Sequence, residues 1–235
     1  MHTDHLALLR LMQLSDSALP VGAAAHSFGL ETLVAEGLLD VAHLELFLKD
    51  YLEEVGTVES IFCRLGHRLV CESDQALFTE QWLALNRRLS ALKMARESRT
   101  ASATLGRRLL QLLHNLEETL VVSLALQSAK AAAIETHYSA AFGLVGGIVG
   151  VDETMTTLAY LQQSLTGLVS VCQRLLPLGQ SQASWLIWHI KPVLLTVAGR
   201  SEEVAAALDE MSMCAPLVEL GSMRHPFMAT RLFIS

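Results

Sequence analysis

The sequence predicts an all-α protein, a single compact domain of about ten helices with short connections. Three observations carry this. Half of the chain is hydrophobic (51%) while aromatics are only 6%, so its apolar content is mostly Leu, Ala and Val, a mix that favours helices. Apolar residues recur at helical spacing, and no alternating run rich in β-branched residues marks a strand. No Pro-, Gly- or Ser-rich linker divides the chain, and 235 residues are ample for one sizeable core.

Element by element, the first helical pattern is DHLALLRLMQL. A second follows the small-residue stretch LPVGAAAHSFGLET at residues 19–32, and Gly37 marks its end. Asp40 is placed as the N-cap of VAHLELFLKDYLEE, which Gly56 is expected to stop. Further helices are expected over 57–72, 74–92, 96–113, 117–134, 137–149, 152–176, 181–197 and 201–211. Pro177 and Gly179 mark one turn and Gly199 another, with Ser201 the next N-cap and Glu202 and Glu203 in the first turn behind it. The end of the chain, SMRHPFMATRLFIS, mixes Met223, Phe227, Met228, Leu232, Phe233 and Ile234 with two arginines, and Pro226 interrupts any long helix. Residues 212–235 therefore read as a tail whose apolar side chains need a surface to bury against.

Charge narrows the function classes. The net charge of -7 argues against non-specific binding of the whole chain to nucleic acid or anionic lipid. Only six of the 41 charged residues fall in 131–200, which marks that segment as a buried layer or an oligomer interface, and it is the expected dimer surface. The longest charge-free run, 154–173, carries too much Thr, Gln and Ser to span a membrane. Asp4 and Arg10 interrupt the N-terminal apolar pattern as no signal peptide would, so a cytoplasmic protein is expected.

Motifs for chemistry are sparse. GLVGGIVG at 143–150 lacks the lysine of a phosphate loop; Gly143 with Gly147, and Gly146 with Gly150, instead repeat at one helical turn, the spacing that lets backbones approach closely. Ser15, Asp16 and His26 lie near one another, yet neither GxSxG nor HExxH is present, so no enzyme activity and no cofactor are expected. The four cysteines form no CxxC pair and read as buried thiols. Cys63, His67 and Cys71 share one helix face, but roughly 12 Å of rise separates the outer two, too far to close on one ion. His2 and His5 could hold a metal only weakly, which leaves metal binding open. Seven basic residues between Arg87 and Arg108 (Arg87, Arg88, Lys93, Arg96, Arg99, Arg107, Arg108) surround the single acid Glu97. They read first as a solvated helix face, then as a dock for an acidic protein, and last as a nucleic-acid patch.

LPVGAAAHSFGLET, ARESRTASATLGRRLL at 95–110, LPLGQ at 176–180 and the terminal SMRHPFMATRLFIS, taken in order, resemble the urease accessory protein F family. The resemblance implies an all-α homodimer without catalytic activity. It also implies a partner in a second accessory protein (D or H), recruitment of the accessory GTPase G, and delivery of nickel to apo-urease. By the same resemblance the C-terminal segment orders against the D/H partner, with Arg231 of the terminal RLF-x-S motif as anchor beside Leu232 and Phe233, and with Arg224 and His225 in the same surface. Two departures stand out: Ala24 occupies a loop position that is often aromatic in relatives, and Pro226 and Phe227 replace a more polar stretch. The first loop then reads as a partner surface, with His26, Ser27 and Glu31 presented along a helix start; the alternative is that they only cap and brace that helix. A helical nucleic-acid-binding regulator using 87–108 and a hydrolase using His26 stay open as other classes.

Overall fold

A computed structural model of the chain describes residues 5–205 and 215–234. Eleven α-helices, and no strand, occur among the described residues. They are α1 (His5–Leu14), α2 (Leu30–Ala35), α3 (Leu44–Tyr51), α4 (Thr57–Arg68), α5 (Gln75–Leu92), α6 (Arg96–Leu116), α7 (Leu120–Ala131), α8 (Tyr138–Ile148), α9 (Glu153–Leu175), α10 (Gln180–Val204) and α11 (Pro216–Arg224). Several starts carry side-chain caps, but Asp40 is not the N-cap of α3: it accepts from the amide of His43, which holds the N-cap position without a side-chain bond of its own. Asp74 accepts from the amides of Ala76 and Leu77 at α5, Thr119 from Val122 at α7, and Asp152 from Met155 at α9. Gly37, at φ +71°, ends α2 in a Schellman turn: the amide of Leu38 reaches the carbonyl of Leu33, and that of Gly37 reaches Val34.

Helix α8 is the centre of the molecule. Every residue from Tyr138 to Gly146 is buried, which is why this stretch carries no charge. The glycine spacing does what it predicts: Gly143 lies on the backbone of Cys63 and Gly66 on the backbone of Ala140, so α4 and α8 cross with no room for a Cβ at either point. Gly146 meets the side chain of Thr156 on α9. Gly150 does not join this contact; at φ +81° it forms the turn that ends α8. One core cluster surrounds α8 with residues of α4, α5, α6 and α7, and a second fills the space between α2, α3, α9 and α10.

The structure corrects several expectations. Gly56 does not stop a helix: the chain runs from α3 through a π-helical turn at Leu52–Gly56 into α4, with Gly56 buried beside Leu161. Gly199 is no turn and Ser201 no N-cap, because α10 continues to Val204. Buried Leu194, Val197, Ala198 and Ala205 keep the apolar stripe in phase, and Ser201 turns inward to accept from the Nε of Arg64 at 3.0 Å. Arg64 itself is 1% exposed and also reaches Glu153 on α9 at 2.7 Å and the Ala198 carbonyl at 2.9 Å, so one guanidinium ties α4 to α9 and α10. Residues 206–211 of the expected last helix, and Cys214, lie outside the described residues. Cys63 and Cys172 are buried thiols, whereas Cys71 is exposed at the end of the turn after α4. The charge-poor segment divides: α8 is interior, while α10 leaves Trp185, Trp188 and Leu195 exposed. None of the described helices is long and apolar enough to cross a membrane.

Candidate functional site

The first and last motifs meet in space. Gly29 precedes α2 at φ +85°, and its backbone lies against Gly221 and Ser222 of α11, a contact that a side chain on either glycine would break. α11 is pinned on its other side to α6. The carboxylate of Glu219 accepts from the amide of Ala95 at the start of α6, where the helix dipole favours an anion, and Ser98 donates to Ser222 at 2.9 Å. This arrangement sets Glu31 and Glu97 on either side of His225. The ring is wholly buried; its Nε2 lies 3.0 Å from Glu31 and its Nδ1 2.8 Å from Glu97.

Glu31 has a second task. Its two oxygens accept the backbone amides of Leu232 at 2.6 Å and Phe233 at 3.1 Å, which seats the end of the chain on α2. Burial opposes ionisation of this carboxyl, but the Leu232 amide, His225 and the Phe233 amide outweigh it and hold Glu31 below the usual range. Phe233 is 5% exposed, and the guanidinium of Arg174 stacks on its ring at 4.1 Å. Arg231 reaches toward Glu97 at 4.0 Å, and Arg224 pairs with Glu36 at 2.7 Å. Around this seated segment Phe227, Leu232 and Ile234 stay 87%, 67% and 70% exposed.

The structure thus brings Glu31, His225, Leu232, Phe233 and Arg231 into one cluster, with Arg224 at its edge. His26 and Ser27 stand apart from it and are buried, so the first loop does not present them to solvent. Burial, and then the charge of Arg108, push the His26 ring below its ordinary pKa. Ser27 does not cap α2 through its side chain; its carbonyl accepts from Leu30. Glu31 braces the C-terminal segment and not its own helix. Sequence reasoning passed over Glu97 and Arg174, although Glu97 is the one acid in a basic stretch, a pattern that marks a counter-ion.

That basic stretch does not form one solvated face. Lys93 is buried in an ion pair with Glu59, Arg99 donates to the Lys93 carbonyl at 3.0 Å, and Arg108 donates to the Val21 carbonyl at 3.2 Å. Nor do Ser15, Asp16 and His26 converge: Ser15 donates to the Leu11 carbonyl and Asp16 accepts from the Ala18 amide, both as turn contacts. A serine and histidine do meet at Ser90 and His137, 2.7 Å apart, but the other ring nitrogen faces Ser102 where a triad needs a carboxylate. Burial, with Lys93 nearby, pushes His137 down to about 3, which makes it a poor base. His67 is occupied with the Val151 carbonyl at 2.8 Å, and no cluster of three metal-ligating side chains occurs among the described residues.

Comparison with known proteins agrees with the motifs. The UreF family model matches residues 38–191. A urease accessory protein UreF from Nostoc sp. is 33% identical over 99% of this chain and 97% of its own length. The chain belongs to the UreF family. Urease accessory proteins UreF from Lachnoclostridium phytofermentans and Geobacillus kaustophilus are 30% and 31% identical, each over 97% of this chain and 98% of the relative. In this UreF-family chain the matched span stops short of both Glu31 and His225, but the full-length relatives extend across the two motifs that build the cluster.

Proposed function

We propose that this chain is a non-catalytic scaffold in urease maturation. In this reading it binds the accessory protein D/H through its C-terminal segment. Together they recruit the GTPase accessory protein G and deliver nickel into apo-urease, with the chain acting as a cytoplasmic homodimer. Family membership supports the maturation role. The observation that carries the docking surface is the C-terminal segment itself: Glu31, His225 and Glu97 fix its backbone while Phe227, Leu232 and Ile234 face outward. Exposed apolar side chains on a pinned backbone suit protein recognition, because little ordering entropy remains to be lost on binding.

The test is co-purification of the tagged full chain with the D/H protein and the GTPase of the same urease system, sized by light scattering. A stoichiometric three-protein complex that disappears on Phe227→Asp with Leu232→Asp supports the scaffold and its surface. Full-length chain that ignores both proteins refutes the role; a complex indifferent to the two substitutions refutes the surface. The same light scattering on the chain alone reads its dimeric state.

A further inference from the structure

A deep pocket of about 220 Å³ runs inward between the first loop and α9. Its lining from α9 is a single helical face, from Tyr160 through Ser164 and Gly167 to Arg174. The outer end lies at Ser17, Ala24 and Ser170, all exposed; the floor holds the buried Glu59–Lys93 pair. Ala23, Ala24, His26 and Phe28 make the loop side of the pocket. Phe28 is held at φ +51°, a costly backbone setting for a bulky residue.

Arg174 and the C-terminal segment both hold the loop backbone at 24–25, beyond the bond from Arg108 to the Val21 carbonyl at its start. Arg174 donates to the Ala24 carbonyl at 2.8 Å. The ring of Phe233 lies against the same guanidinium, and the amide of Ile234 donates to the Ala25 carbonyl at 2.8 Å. Glu31 holds Leu232 and Phe233 in the position that makes these contacts.

We propose that the C-terminal segment is a latch on this pocket: seated, it closes the 22–28 loop over the Glu59–Lys93 floor, and released, it lets the loop open and admits solutes from outside. The device belongs to the chain alone and goes beyond the scaffold role, whichever protein meets the surface.

A thiol reporter on the pocket wall tests the latch. Gln163→Cys is placed in the full chain carrying Cys71→Ser and Cys214→Ser, and its reaction with a small uncharged alkylating reagent is timed. The expected result is slow labelling in the otherwise intact chain. Labelling should rise about tenfold when residues 232–235 are removed, and should rise also for Arg174→Ala, which keeps the segment and its Ile234–Ala25 bond but removes the guanidinium shared by the Ala24 carbonyl and the Phe233 ring. The native Cys63 thiol, fully buried and not among the residues that line the pocket, is read in the same samples and should stay unreactive. Equal reporter rates in all three chains overturn the latch. So does a rise matched by Cys63, which would mark general unfolding.

Discussion

Glu31 is where the two ends of the chain become one site: its carboxylate meets the His225 ring, which Glu97 also faces, and the amides of Leu232 and Phe233. Replacing it by Gln keeps the shape but removes the charge facing the His225 ring and two backbone amides. The expected cost is about 1.5–3 kcal/mol of stability, the range for hydrogen bonds to a charged group. Equilibrium urea unfolding and amide exchange at Leu232 and Phe233 would check this, and unchanged exchange there would contradict the assignment. Histidine gives a second residue-scale prediction. Burial pushes His137 from its ordinary 6.5 down to about 3 in the folded chain, so the unfolded chain binds the extra proton between those values. Its contribution to stability is whole above pH 6.5 and is lost as pH falls toward 3. The slope expected in unfolding free energy is about 1.4 kcal/mol per pH unit in that window, and His137→Gln should flatten it. Glu31 and Glu59 act lower down: both are held below the ordinary carboxylate value of 4.5, so their contribution is lost only as pH falls below it.

At the scale of elements, the α4–α8 crossing decides whether the core forms. Gly143→Ala would drive a methyl group into the backbone of Cys63, which has no flexible end to move aside. A loss of at least about 3 kcal/mol is expected, seen as a large fall in thermal midpoint or as insoluble protein. Gly199→Ala is the matched control. Gly199 is exposed within α10 with open space around a Cβ, so alanine there should raise stability by about 0.5–1 kcal/mol. A destabilised Gly199→Ala would restore the turn that the sequence alone suggests at this position. Helix α10 also shows why local punctuation misleads: glycine weakens a helix only modestly, and a continuous buried stripe with Arg64 anchoring Ser201 outweighs it.

For the whole molecule, composition, helical periodicity and short connections determined the all-α class, and Asp74, Asp152 and Gly37 carried their element ends openly, because caps and glycine turns are local chemistry. The glycine repeat likewise determined a close helix crossing, since absent side chains leave space whatever the partner. The motifs at 19–32, 95–110, 176–180 and 222–235, taken in order, determined the family resemblance. What the tertiary structure alone decided is their meeting. Glu31 and His225 lie 194 residues apart, and no periodicity pairs positions at that distance. The fate of charge was decided there too: Lys93 and Arg64 read as surface residues in a sequence, and each becomes interior only because folding brings a carboxylate to it. Local sequence determines what each segment prefers to be, whereas which polar group leaves water depends on the partner that packing supplies.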